Sequence, residues 1–327
     1  MNLKKYEVFF KDKSILITGG TGFIGSNAAR ILCNLAKETY VVTRKESQLH
    51  RIAPFINNIE VFEVELESPG SLQSIEKFKS VDYILHFAQP SHHGLKNPIN
   101  NLASQNVSLR ILTNVLELAR IIKGVKVIHA CSSTVYGHSA TETNSSINES
   151  LGKRPKSYRG LIKLAERNLC LYYVRNYNIN LLIGRIFRAY GPNDSEKKLI
   201  DKALIHYKNN LPVQIVNDSV KRDYIYVDDI VECILKMCMT DINSGEEINI
   251  GTGLERSAIS IIEGLNDILE KEIMVAEEYY PTSDIDQNFW KADISKAKKL
   301  LKWEPETSLK EGLTNCIAFH NLKMESK

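Results

Sequence analysis

Along the first half of the chain, short apolar runs rich in β-branched residues alternate with longer segments whose apolar positions recur every three to four residues. Ser14–Thr18 (SILIT) and the runs at 39–43, 59–63, 81–86 and 125–130 predict buried strands, with helical patterns over about 22–36, 71–78 and 100–122. A further strand at 180–185 follows a long helical pattern at about 158–177. Strand and helix in strict alternation predict crossover units and a parallel sheet covered on both faces.

Beyond residue 190 the rhythm changes. Gly191-Pro192-Asn193-Asp194 is a turn cluster and Pro212 interrupts a second helix-to-strand passage. Short strands at 213–216 and 247–250 alternate with helices near 226–239, 257–270 and 308–320. The expected organisation is a nucleotide-binding domain over 1–185 and a smaller α/β substrate lobe, mainly 186–327. Their boundaries interleave, since part of the lobe is free to return to the first sheet. The length of 327 residues suits such a two-part chain.

Thr18-Gly19-Gly20-Thr21-Gly22-Phe23-Ile24-Gly25 follows the first strand directly and opens a helix. A pyrophosphate needs close backbone approach and free N–H groups at a helix N-terminus, which glycine permits. Strand, glycine turn and helix in this order therefore predict a Rossmann-type doubly wound sheet and a dinucleotide held by Gly19, Gly22, Phe23, Ile24 and Gly25. At the end of the second strand, Val42-Thr43-Arg44-Lys45 carries two cations and no carboxylate. Arg44 suits a 2′-phosphate, which favours NADP over NAD; the competing reading is an exposed loop charge.

Composition excludes more than it assigns. A formal charge of +3 over this length makes no case for nucleic acid. The six cysteines form no C-x-x-C pair, and the eight histidines no H-x-x-x-H helix, so neither a metal nor a disulfide framework is expected. No segment resembles a signal peptide or a membrane span, and a reducing, cytoplasmic setting is the expectation.

Several ordered motifs then add up: TGGTGFIG (18–25), EL (65–66), HFAQP (86–90), CSSTVYG (131–137), a Tyr–Lys element, RIFRAYGP (185–192), KRDYIYVDDI (221–230), NIGTG (249–253) and KWEP (302–305). The series, running from about residue 13 to 315, resembles the NAD-dependent epimerase/dehydratase family, the extended short-chain dehydrogenases acting on nucleotide-sugars. The resemblance implies an NAD(P)-dependent enzyme on a nucleotide-diphosphate sugar, by C4 epimerisation or keto-sugar reduction. It also implies a homodimer through the helices near 100–122 and 158–177. Position by position it puts Glu65 and Leu66 at the adenine, Phe87 and Ala88 under the cofactor, and Ser132 at the reacting sugar oxygen. Ser133 would lie near the sugar, and Arg222, with Arg188, on the diphosphate. Tyr158 would exchange the proton while Lys163 binds ribose and favours the phenolate. A phenol ordinarily titrates near 10 and needs such help at neutral pH.

Three departures from the family pattern matter. The family reads Y-x-x-x-K, whereas Tyr158 and Lys163 are five apart, about 140° round a regular helix, and Arg159 stands four before the lysine. Either the helix starts late or bulges so that Tyr158 still reaches the sugar, or Tyr136, His92 or His93 takes over, or the protein binds its ligands without turnover. The Asp-Glu pair of the 4,6-dehydratases is here Ser133-Thr134, which argues against dehydration; decarboxylation stays open as a lyase alternative. Arg188 replaces an Asn and is read either as a second cation on the diphosphate or as the partner of a structural carboxylate. Asp228 and Asp229 are expected to order the start of the following helix.

Overall fold

A computed structural model describes residues 3–90, 98–142, 145–280 and 290–324. Helix α1 (Leu3–Phe10) precedes β1 (Ser14–Thr18), α2 (Phe23–Leu32), β2 (Glu38–Thr43), β3 (Glu60–Glu63) and β4 (Tyr83–His86). Then come α3 (Pro98–Ile121), β5 (Lys126–Ser132), the one-turn α4 (His138–Thr141), α5 (Tyr158–Tyr177), β6 (Asn180–Ile186) and β7 (Arg188–Tyr190). The remainder is α6 (Leu199–Lys208), β8 (Lys221–Tyr226), α7 (Val227–Met239), β9 (Glu247–Ile250), β10 (Glu255–Ser257), α8 (Ala258–Asn266), α9 (Ser295–Leu301) and α10 (Leu309–Phe319).

Seven strands form one parallel sheet in the order β3-β2-β1-β4-β5-β6-β9. The order reverses between β1 and β4, and at such a switch point the loops leaving the strands diverge and open a crevice. Successive side chains point to opposite faces, so the apolar runs feed two cores. Leu16, Val127, Leu181 and Ile183 join Leu112, Leu116 and Tyr173 of α3 and α5 on one face. Ile15, Ile17, Ile128 and Leu182 join Ala28, Ile230 and Ile234 of α2 and α7 on the other. Burial on both faces is why the strands read as continuous apolar runs.

A second, three-stranded sheet, β10-β8-β7, and helices α6, α8 and α10 enclose a third core that includes Tyr190, Leu204, Ile261, Leu265 and Leu313. Strand β9 leaves this part of the chain and pairs with β6 in the large sheet. Asp223 of β8 ties the junction together. It is fully buried and accepts from the N–H groups of Thr252, Gly253 and Ala292 at 2.7, 2.9 and 3.0 Å.

Some expectations are corrected. The pattern at 71–78 yields turns and a 3-10 helix over Glu76–Ser80, with Leu72 and Phe78 buried in the core and Ile75 packed against it. Residues 213–216 make only isolated bridges, Val213 to Val275 and Val216 to Tyr280. Helix α1 was not anticipated; Tyr6 and Phe10 anchor it in the second core, with Tyr6 Oη donating to Glu232 Oε1 at 2.7 Å. Among the described residues no helix is long and apolar enough to cross a membrane.

Candidate functional site

A cavity of about 840 Å³ opens at the switch point, where the C-terminal ends of β1, β4, β5 and β6 meet β7 and β8. Gly19, Gly22, Phe23, Ile24 and Gly25 form one wall, and Phe87, Gln89 and Pro90 continue it. Two glycines here are geometric necessities. Gly19 has φ +74, and a Cβ on it would lie 2.6 Å from the Ala88 nitrogen; a Cβ on Gly25 would lie 2.3 Å from the Gly19 oxygen. Turn and helix start are thus packed too closely for a side chain, leaving the backbone at the N-terminus of α2 open for an anion. This cradle fits a dinucleotide pyrophosphate. Ala88 itself backs Gly19 and does not line the cavity.

Arg44 and Glu65 are exposed and Leu66 is buried just past the ends of β2 and β3, outside the cavity lining. The strands run in register there, Thr43 opposite Glu63, so Arg44 and Glu65 share the same sheet edge as the glycine turn.

Ser132 ends β5 and caps the short 3-10 helix Ser133–Val135. Its Oγ accepts from the Thr134 amide at 3.3 Å and from the Thr134 hydroxyl at 3.0 Å. Both incoming protons come from Thr134, so the Ser132 hydroxyl hydrogen remains available to a ligand. Ser133 Oγ accepts from the indole of Trp290 at 2.9 Å, and both residues line the cavity.

Helix α5 decides the register of the next group. Ser157 is extended at φ −112, ψ 153 and its Oγ accepts from Gly160 N–H at 3.1 Å, the arrangement of an N-cap. The Leu161 amide donates to Ser157 O at 2.9 Å, so the helix is regular from Tyr158 onward. It neither starts late nor carries an extra residue, and the condition under which Tyr158 shares a face with Lys163 is not met. Arg159 and Lys163, one turn apart, both line the cavity; Tyr158 does not. Burial raises the Tyr158 phenol, the opposite of what a proton acceptor needs. Gly160 seats the helix start, since a Cβ there would come within 2.5 Å of Thr134 O.

Lys163 is nearly inaccessible. Its Nζ donates to Ala130 O at 3.0 Å and to Glu166 Oε2 at 2.7 Å. Burial by itself raises the Glu166 carboxyl, but Lys163 first, and then His129, overcome it and bring it down to about 2. His129 Nε2 stands 3.4 Å from the same carboxylate, outside hydrogen-bond geometry. The His129 ring stacks on His86 at 5.3 Å, and His86 Nδ1 lies 2.6 Å from Thr18 Oγ1. Burial lowers both imidazoles. Lys163, Glu166, His129, His86 and Thr18 thus form a buried polar cluster that reaches the residue before Gly19. Its one signal in the sequence is Glu166, three residues after Lys163 on one helix face.

The far end of the cavity is cationic. Arg188 of β7 and Arg222 of β8 line it, joined by Arg51, Lys156 and Lys198. Lys198 pairs with Asp194 at 2.7 Å, and Arg51 Nε donates to Asn193 O at 2.8 Å. The turn cluster at 191–194 thus carries site residues that no spacing rule identifies. Arg222 Nη1 donates to Lys221 O at 2.8 Å. Among the described residues no carboxylate forms an ion pair with Arg188.

Other candidates lie elsewhere. Tyr136 is structural: its hydroxyl donates to Asn249 Oδ1 at 2.7 Å and accepts from Arg185 at 2.5 Å, and burial raises its phenol well out of the working range. His92 and His93 fall outside the described residues. Asp228 and Asp229 stand in the first turn of α7; Asp228 pairs with Arg30 at 2.5 Å and Asp229 accepts from the Glu306 and Thr307 amides. Among the described residues no cluster of three or more His, Cys, Asp or Glu side chains is placed to hold a metal, and all six cysteines are free.

Comparison with known proteins places this geometry in context. A family model described as GDP-mannose 4,6 dehydratase matches residues 16–316. The "uncharacterized UDP-glucose epimerase YtcB" of Bacillus subtilis (strain 168) is 29% identical over 93% of this chain and 97% of its own length. The UDP-glucuronic acid decarboxylase 2 of Arabidopsis thaliana is 27% identical over 93% of this chain and 67% of its own. Among solved structures, the UDP-glucuronic acid 4-epimerase of Bacillus cereus, in complex with UDP-glucuronic acid and NAD, superposes with a TM-score of 0.83. That match covers 94% of this chain and 99% of the other at 24% identity.

Proposed function

The chain belongs to the GDP-mannose 4,6 dehydratase family, and from this we propose that it is a nicotinamide-dependent enzyme acting on a nucleoside-diphosphate sugar, by epimerisation or keto-sugar reduction around C4. One observation carries the reading: the glycine turn, Ser132, Lys163 and the Arg188/Arg222 pair open on a single cavity. When bound, the nicotinamide supplies the hydride exchange. Gly19 to Gly25 hold the pyrophosphate, Glu65 and Leu66 flank the adenine, and Lys163 holds the nicotinamide ribose. Ser132 donates its free hydroxyl proton to the sugar oxygen, with Ser133 beside it. Arg222 and Arg188 bind the diphosphate, for which forked guanidinium donors are matched.

The preference for NADP rests on Arg44, exposed where β2 ends and no carboxylate stands between Val42 and Lys45. The NAD in the Bacillus cereus structure weighs towards NAD for this chain. A homodimer through α3 and α5 is proposed on the exposed Ile121, Tyr172 and Tyr177 of those helices, and a cytoplasmic location on the six free cysteines.

Proton exchange at Tyr158 would need that side chain to pass from its own face of α5 to the Lys163 face. A guanidinium stands there instead and does not deprotonate in proteins. That observation favours a second reading, binding without turnover; a lyase remains the alternative within the family.

Denaturing the purified protein, identifying any released dinucleotide by mass spectrometry, and following UDP-glucose and UDP-glucuronic acid by NMR tests the reading. NAD or NADP, with a C4 epimer or reduced product, is expected. Binding of neither dinucleotide on titration overturns it. Turnover unchanged in Tyr158→Phe removes Tyr158 from the mechanism; dinucleotide and sugar binding without any product supports the second reading.

A further inference from the structure

Arg159 stands where stability alone argues against a cation. It is the second residue of α5, at the positive end of the helix macrodipole, and the first turn contains no acidic residue. Its neighbours in the cavity wall are further cations, Arg188 and Lys198. The two carboxylates among the described residues that act on this group are already engaged, Asp194 by Lys198 and Glu166 by Lys163, each at 2.7 Å. Burial, and then Arg188, weaken the hold of Arg159 on its proton. Burial lowers Lys198 as well; Asp194 offsets part of that, while Arg188 and Arg159 add to it. Three cations thus repel one another in a shared hollow. An anion entering between them would relieve that repulsion.

The diphosphate of the proposed ligand already has Arg222, on β8 of the small sheet, to meet it. Arg159 lies on a different element, one helical turn before Lys163 and on the helix end that Gly160 presses against Thr134. Ser132 and Thr134 line the same cavity as Arg159. Resting on the reading of the site as one for a nucleoside-diphosphate sugar, we infer that Arg159 is a specificity-determining residue and that the sugar this cavity takes carries a carboxylate on its ring. A planar guanidinium matches a carboxylate in two parallel hydrogen bonds, which a neutral hydroxymethyl group does not offer.

Isothermal titration of the full chain, saturated with its dinucleotide, measures the affinities of UDP, UDP-glucose and UDP-glucuronic acid for the natural protein and for Arg159→Gln. The thymidine nucleotides are run in parallel so that the base does not decide the outcome. UDP-glucuronic acid binding tenfold or more tightly than UDP-glucose is expected, with that ratio falling to about one in Arg159→Gln while the affinity for UDP itself is unchanged. Equal affinity for the two sugars in the natural protein overturns the inference, as does a preference that survives Arg159→Gln. A loss of UDP affinity in Arg159→Gln as large as the loss for the acid assigns Arg159 to the diphosphate instead, and also overturns it. Failure of the proposed function looks different: neither the free nucleoside diphosphates nor either sugar binds in either series.

Discussion

Replacing Glu166 by Gln tests the buried pair behind the cavity. Lys163 and Glu166 lie 2.7 Å apart and are both almost completely inaccessible, so the pair is little screened by solvent. The carboxyl falls from its ordinary 4.5 to about 2, with burial opposing and Lys163 and His129 prevailing. At about 1.4 kcal/mol per tenfold change, that fall corresponds to roughly 3 kcal/mol of folding stability. Because the folded carboxyl titrates below the unfolded one, this stability is fully present above about pH 4.5. It is lost as the pH falls from there towards 2. Removing the charge on Glu166 also strands the Lys163 cation, for which about 3–5 kcal/mol is typical. Unfolding entropy of about 0.7 kcal/mol/K for 327 residues converts 3 kcal/mol into a fall of roughly 4 °C in Tm. Differential scanning fluorimetry of Glu166→Gln at pH 7 should show at least this fall, and a shallower acid-side loss of Tm than the natural protein. Replacing both partners, Lys163→Met with Glu166→Leu, should cost less in stability than the two single changes added together. A Glu166→Gln protein that melts within 1 °C of the natural one at pH 7 would refute the reasoning.

The remaining predictions concern the cavity. Gly19→Ala places a methyl 2.6 Å from the Ala88 amide at φ +74; dinucleotide binding by fluorescence titration should be abolished, and Tm should fall with it. Arg222→Ala should weaken the nucleotide-sugar about 10- to 100-fold by calorimetry, the usual worth of a charge-assisted hydrogen bond, and leave dinucleotide affinity unchanged. Ser132→Ala removes the hydroxyl that Thr134 orients; kcat should drop about 100-fold or more with little change in KM, while an equal rise in KM at constant kcat would assign Ser132 to binding alone. Arg44→Ala should weaken NADP and not NAD in competition titrations; equal effects on both would make Arg44 a loop charge.

Much of the molecule is local, and local features are what a sequence carries. Apolar runs buried on both faces predict parallel strands, and the glycine turn between β1 and α2 needs only three neighbouring positions to be recognised. Ser132 at the end of β5 and Lys163 on α5 are singled out by the family resemblance and not by spacing alone; the structure brings both to the one cavity. The strands β7, β8 and β10, three to six residues long, could not, because they are stabilised by pairing with one another and too short to show a period. The meeting of Lys198 and Arg51 with the glycine turn is likewise tertiary: Arg51, hydrogen-bonded to Asn193, lies 142 residues from it in sequence. The Tyr–Lys register shows the division most sharply. The five-residue spacing posed the question, but which residue faces the ligand depended on where the helix begins. Ser157 capping the Gly160 amide, and Gly160 fitting against Thr134, settle that start and turn Arg159 rather than Tyr158 into the cavity.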